Sequence, residues 1–131
     1  MIGLDTNVII RYIAQDDPMQ TPVAARLFES FNSEKTGFIS VVALIETAWV
    51  LCSFYDVTRQ QLRRVIETLL RTRGVVVERS DLVWMALSAH SRGNADFADY
   101  LIERYGRDAG CEYTLTFDRN AANMMGMKLL K

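Results

Sequence analysis

Short apolar runs alternate along the chain with longer stretches whose apolar residues recur every three or four positions. Ile2 to Asp5 reads as a short buried strand stopped by a carboxylate. Asn7 to Ala14 reads as a helix. Pro18 to Phe31 reads as another, with Val23, Ala24, Leu27, Phe28 and Phe31 at helical spacing. Pro18, directly after Asp16-Asp17, marks the end of one helix and the start of the next. Phe38-Ile39-Ser40 follows a glycine and predicts a second strand, and Val42 to Tyr55 predicts a largely apolar helix. Thr58 is placed to cap a helix running to about Arg73, with Leu62, Val65, Ile66, Leu69 and Leu70 on its apolar face. Gly74 ends that helix, and Val75-Val76-Val77 predicts a buried strand. Ser80 or Asp81 caps a helix to about Ser91, Arg92-Gly93-Asn94 turns, and Ala95 to about Asp108 is helical. Tyr113 to Thr116 predicts a strand, Asp118 starts a short helix, and Met127 to Leu130 reads as a last edge strand.

Strands separated by helices predict an α/β fold in three layers. Its centre is a mostly parallel sheet of four to five short strands, covered by helices on both faces. No repeat, linker or low-complexity tract interrupts the pattern, so residues 1–131 read as a single domain. Parallel sheets place their sites beyond the carboxyl ends of the strands. Two such ends are polar here: Asp5-Thr6-Asn7 and Thr116-Phe117-Asp118.

Composition narrows the function classes. With 50% hydrophobic and 24% charged residues the chain is ordinary globular protein. The net charge of -1 gives no bulk attraction for nucleic acid or membranes, so any such binding must come from local patches. The bases are lopsided, 12 Arg against 3 Lys, and the planar guanidinium suits phosphate. Cys52 and Cys111 lack metal-ligand spacing and read as reduced thiols of a cytoplasmic protein. The first residues have no signal-peptide pattern, and no apolar run approaches a membrane span.

The acidic residues carry the candidate chemistry. Asp5 follows the first strand and can both cap a helix and hold a cation, with Thr6 and Asn7 placed to orient it or a water. Glu46 is spaced with Val42, Ile45, Trp49 and Val50, so it is expected to be partly desolvated. Such an acid needs a cationic partner, a metal or a raised pKa. Asp96 and Asp99 share one side of their helix with Glu103, opposite Phe97, Ala98, Leu101 and Ile102. They serve either as a helix-opening acidic turn or as a carboxylate face. Asp118 again follows a strand and also suits a helix cap. If these acids converge, they repel one another unless cations sit among them, and an all-oxygen set suits Mg²⁺ or Mn²⁺. His90, the only histidine, stands alone on a helix, which removes a Ser-His-Asp mechanism.

Four segments together resemble the PIN-domain nucleases, in particular the VapC-type toxins of toxin–antitoxin pairs. They are Leu4-Asp5-Thr6-Asn7-Val8, Ile45-Glu46, Ala95 to Ile102, and Thr116-Phe117-Asp118-Arg119, in that order over essentially the whole chain. The resemblance implies a metal-dependent endoribonuclease, silenced by a cognate antitoxin and often a homodimer. It places the acidic set on Asp5, Glu46, Asp99 and Asp118, with Asp5, Asp99 and Glu46 as the principal metal ligands. Asp118 would orient a water or complete a second site, Asp96 is an auxiliary acid, and Thr116 matches a polar position near the metal. Phosphodiester cleavage needs an activated water and a stabilised leaving oxygen, and Mg²⁺ held by carboxylates supplies both.

RNA must then be met at the rim. Arg11 and Arg119 adjoin two of the motifs, and Arg63 and Arg64 lie with Arg59, Arg71 and Arg73 along one predicted helix. That helix face serves RNA, an antitoxin or only solvent. Trp49-Val50-Leu51 and Phe54-Tyr55 are core residues or, if exposed, a groove for an antitoxin segment. Three rivals differ in class. A receiver domain needs an Asp after its middle strand, where Glu78-Arg79 stands, and a haloacid dehalogenase-type phosphatase needs a second Asp where Asn7 stands. A non-catalytic PIN scaffold would not need the intact acids.

Overall fold

A computed structural model gives the structure of residues 1–131, which divides into two compact units, Met1–Ser80 and Asp81–Lys131. In the first unit, the Ile2 N–H donates to the Thr36 carbonyl (2.8 Å) and the Leu4 N–H to the Phe38 carbonyl (2.9 Å). These bonds join β1 (Ile2–Gly3) to β2 (Gly37–Ile39) in parallel. β3 (Val75–Val77) pairs in parallel with the other edge of β2, so the order is β1-β2-β3. Parallel neighbours require long crossovers. Here α1 (Thr6–Ala14) and α2 (Gln20–Glu29) make the first, and α3 (Val41–Phe54) and α4 (Arg59–Arg71) the second.

Local chemistry sets the helix ends. α1 stops where Gln15 turns left-handed (φ 55), its N–H donating to the Arg11 carbonyl at 3.2 Å. Asp17 then caps the next turn, accepting from the Met19 and Gln20 N–H groups at 2.9 and 2.8 Å. Those two bonds, and then the Arg11 charge, hold its carboxyl below the usual carboxylate range. Pro18 sits inside this turn, where a missing N–H costs nothing. At α3, Ser40 Oγ accepts from the Ala43 N–H and Glu78 Oε1 from the Val41 N–H, each at 3.1 Å. Thr58 caps α4 as predicted, in a reciprocal box with Gln61. The helix ends at Arg71, so Arg73 lies beyond it. Gly74 follows at φ +76, packed so closely that a Cβ would meet the Asn32 backbone nitrogen at 2.6 Å.

Ile9, Ile39, Leu44, Leu51, Ile66 and Leu69 form the fully buried centre of this unit. Tyr12 stacks on Phe28 with ring centroids 3.9 Å apart, which fixes α1 against α2. The strands are less enclosed than predicted: Ile2 and Val76 are exposed while Leu4 and Val77 are buried. Residues alternate in direction along a strand, so even a three-residue run points one side chain outward. Val23, expected on the apolar face of α2, is also exposed.

The second unit carries the rest of α5 (Ser80–Arg92), then α6 (Phe97–Asp108), β4 (Thr114–Thr116), α7 (Arg119–Ala122) and β5 (Met127–Leu129). β4 and β5 pair in parallel as a separate two-stranded sheet. The five predicted strands are therefore all present with parallel partners, in ladders of three and two strands. His90 is buried with its ring edge-on to Phe97 and Tyr100, a structural placement. Glu103 does not share the open side of α6 with Asp96 and Asp99. It is 4% exposed and ion-paired to Arg107 (2.9 Å) and Arg104 (3.5 Å). Gly126 (φ +91) leaves room for that carboxylate, because any side chain there would collide with it. Ile102, expected on the apolar side, is 52% exposed instead. Cys52 and Cys111 are exposed and form no disulfide. No helix is long and apolar enough to cross a membrane.

Candidate active site

Asp5 leaves β1 in extended backbone (φ -80, ψ 158) and caps α1, its Oδ1 accepting from the Thr6 N–H at 2.8 Å. Its other oxygen remains available beside the helix N-terminus. The Thr6 hydroxyl does not orient Asp5. It is 8% exposed and donates to Glu46 Oε1, tying the start of α1 to the middle of α3. Asn7 is exposed and makes no side-chain bond to Asp5. Glu46 itself is exposed, contrary to the expected desolvation. The apolar residues spaced with it do not enclose it, since Val42 is 72% and Trp49 60% exposed.

Asp5, Thr6, Asn7 and Glu46 line one cleft of about 260 Å³. Ile10, Arg11, Val50 and Tyr55 complete its lining. Tyr55 was legible as a core residue or, if exposed, as part of an antitoxin groove, and no sequence signal placed it beside the acids. It sits where α3 ends: Asp56 turns left-handed (φ 51), and the Tyr55 and Val57 N–H groups both donate to the Leu51 carbonyl.

The second unit holds the other predicted acids. Asp96 precedes α6 as its N-cap, and its backbone N–H donates to Asp99 Oδ2 at 3.3 Å. Partial burial holds the Asp99 carboxyl above the usual carboxylate range. That N–H opposes the shift, and the charges of Asp96 and Asp118 add to it. Asp118 caps α7, its Oδ1 accepting from the Asn120 N–H at 2.8 Å. Thr116 Oγ1 accepts from the Asp118 N–H at 3.0 Å, so this threonine orients the acid's backbone.

None of Asp5, Glu46, Asp96, Asp99 and Asp118 has a basic side chain within ion-pair distance, whereas buried Glu103 has two. Neither unit by itself gathers three Asp, Glu, His or Cys side chains into a ligand cluster. The donors present are carboxylate oxygens without His or Cys, and in type they fit a hard divalent cation. The arginines are scattered. Arg71 pairs with Glu67 at 3.1 Å along α4, Arg64 and Arg119 are exposed, and Arg11 alone lines the cleft.

No curated protein matches the chain by sequence. Among solved structures the chain is similar to a toxin–antitoxin complex from Klebsiella pneumoniae. The identity is 15%, the match covers 97% of this chain and 95% of that one, and the TM-score is 0.39. The sequence model of the PIN domain matches residues 2–126, and the chain therefore belongs to the PIN-domain family.

Proposed function

We propose that this PIN protein is a Mg²⁺- or Mn²⁺-dependent endoribonuclease of the VapC toxin type, with residues 1–131 working as one domain. The observation that carries the reading is the unneutralised acid set. The four carboxylates at the family's motif positions and the auxiliary Asp96 lack a basic partner, while the one buried acid outside those motifs has two. Acids left without counter-charge are poised for a cation.

In this reading Asp5, Glu46 and Asp99 hold the ion, Asp118 orients a water or serves a second ion, and Asp96 assists. Thr6 fixes the Glu46 carboxylate, and the Asp118 backbone is fixed by Thr116. A bound Mg²⁺ lowers the pKa of a coordinated water and offsets the phosphate's charge. The protein's share is to hold those carboxylates in place and aimed. A cognate antitoxin, a homodimeric state and a cytoplasmic site of action complete the proposal.

The direct test is cleavage of structured RNA with Mg²⁺, with and without EDTA. Wild-type protein should cut only in the metal. Asp5→Asn, Glu46→Gln and Asp99→Asn should each lower the rate by orders of magnitude while remaining folded. Cleavage that persists in EDTA, or clean protein inert in every divalent metal, would end the reading. The toxin assignment is tested separately by expression without antitoxin: wild type should slow growth and Asp5→Ala should not.

A further inference from the structure

The cleft that contains Asp5 and Glu46 is also lined by residues the acids do not explain. Arg11 lies on α1 facing it, and its Nε donates to Gln20 Oε1 at 2.7 Å, with Asp17 Oδ2 at 3.8 Å. The guanidinium is thereby tethered from behind, while Nη1 and Nη2 have no protein partner. It is not spent on the cleft's own acids, because neither Asp5 nor Glu46 lies within ion-pair distance of it. Tyr55 lines the same cleft with Val50 and Ile10, half-buried, its hydroxyl without a hydrogen bond. The Asn7 amide, one turn before Arg11 on α1, lines the cleft as well and is equally uncommitted.

An anchored guanidinium with free terminal donors suits a phosphate oxygen. An aromatic ring flanked by aliphatic side chains suits the face of a nucleobase. The volume, about 260 Å³, lies below the range of drug-sized sites. It has room for about one nucleotide unit. Resting on the ribonuclease reading, we infer that this cleft is a single-nucleotide subsite, in which Arg11 holds a phosphate beside the acids and Tyr55 stacks the attached base. Asn7 is then placed to read that base's edge, so the subsite sets which nucleotide adjoins the cut.

The test is binding rather than turnover. Inorganic phosphate and the four nucleoside 5′-monophosphates are titrated in Mg²⁺ into wild type, Arg11→Gln, Tyr55→Leu and Tyr55→Phe, followed by NMR, with a thermal melt of each protein. Wild type should bind at least one mononucleotide about tenfold more tightly than phosphate, the range expected for one stacked base. Arg11→Gln should weaken both ligands. Tyr55→Leu should weaken the mononucleotide about tenfold and leave phosphate within twofold, and Tyr55→Phe should stay within twofold of wild type for both. The inference is overturned if mononucleotides bind no better than phosphate, or if Tyr55→Leu binds them as wild type does. It is also overturned if Arg11→Gln changes neither ligand. The two readings fail separately. A protein that cuts RNA with Mg²⁺ yet shows no such variant effects keeps the nuclease and loses the subsite. One that binds mononucleotides as described but cuts nothing keeps the subsite and loses the nuclease.

Discussion

Asp99 is a carboxyl whose charge opposes folding and which the proposed function assigns to a cation. Burial raises its pKa, and the Asp96 and Asp118 charges push it further, against the opposing Asp96 N–H. The folded state therefore binds this proton more tightly than the unfolded chain does. Stability linked to Asp99 is present below the unfolded value of 3.8 and falls as pH rises from there through the folded pKa. Asp99→Asn is neutral throughout and can still accept from the Asp96 N–H. Its melting temperature relative to wild type should therefore rise as pH climbs from 3.8 through the folded pKa, and be constant above it. A melting difference that does not change with pH would show that the charge carries no penalty. Mg²⁺ should offset the same penalty, raising the wild-type melting temperature at pH 7 more than at pH 3.5.

Helix ends set the positions of the site residues, and two of them invite measurement. Asp17 binds the Met19 and Gln20 N–H groups and steadies Arg11. Its lowered pKa means that this stabilisation is complete above the ordinary value of 3.8 and is lost as pH falls through the folded pKa. Asp17→Ala should melt lower than wild type at pH 7, with the gap closing in strong acid, whereas Asp17→Asn should cap nearly as well at both pH values. A gap that persists in strong acid would assign the loss to something other than the ionised cap. At α1, Thr6→Val should cost about 1 kcal/mol through its lost bond to Glu46. An unchanged urea midpoint would remove that tie from the energetics. The elements themselves were legible, because Thr58, Gly74 and Asp118 are strong local punctuation and the apolar spacing between them is regular. What spacing cannot show is which side of an apolar helix meets solvent. Every face of α3 carries apolar residues, so the open row of Val42, Glu46 and Trp49 had no contrast to reveal it. The same limit put Glu103 on the wrong side of α6, since its partners Arg104 and Arg107 satisfy a buried charge that periodicity counts as surface.

At the scale of the molecule the ordered acidic motifs were legible, because Asp5, Asp96 and Asp118 lie beside strand ends or helix starts that the sequence marks and Glu46 is a lone carboxylate in an apolar helix. The hydrogen bonds that aim them were not. Thr6 to Glu46 joins residues forty positions apart, and Tyr55 reaches the cleft from the C-cap of α3. The proposed ligands also come from both units, Asp5 and Glu46 from Met1–Ser80 and Asp99 from Asp81–Lys131. That division gives a test of whether one cation uses them all. With a shared ion, losing any ligand removes most of the binding, so single substitutions in different units should not add. With separate ions, each unit keeps its own share and the losses should sum. The measurement is the rise in melting temperature on adding Mn²⁺ to wild type, Asp5→Asn, Asp99→Asn and the double variant at pH 7. Each single variant should lose most of the rise, and the double variant should lose little more than either. Each alone retaining about half, with the double retaining none, would replace the shared ion by two independent ones. A double variant that responds to Mn²⁺ as wild type does would remove both acids from the ligand set.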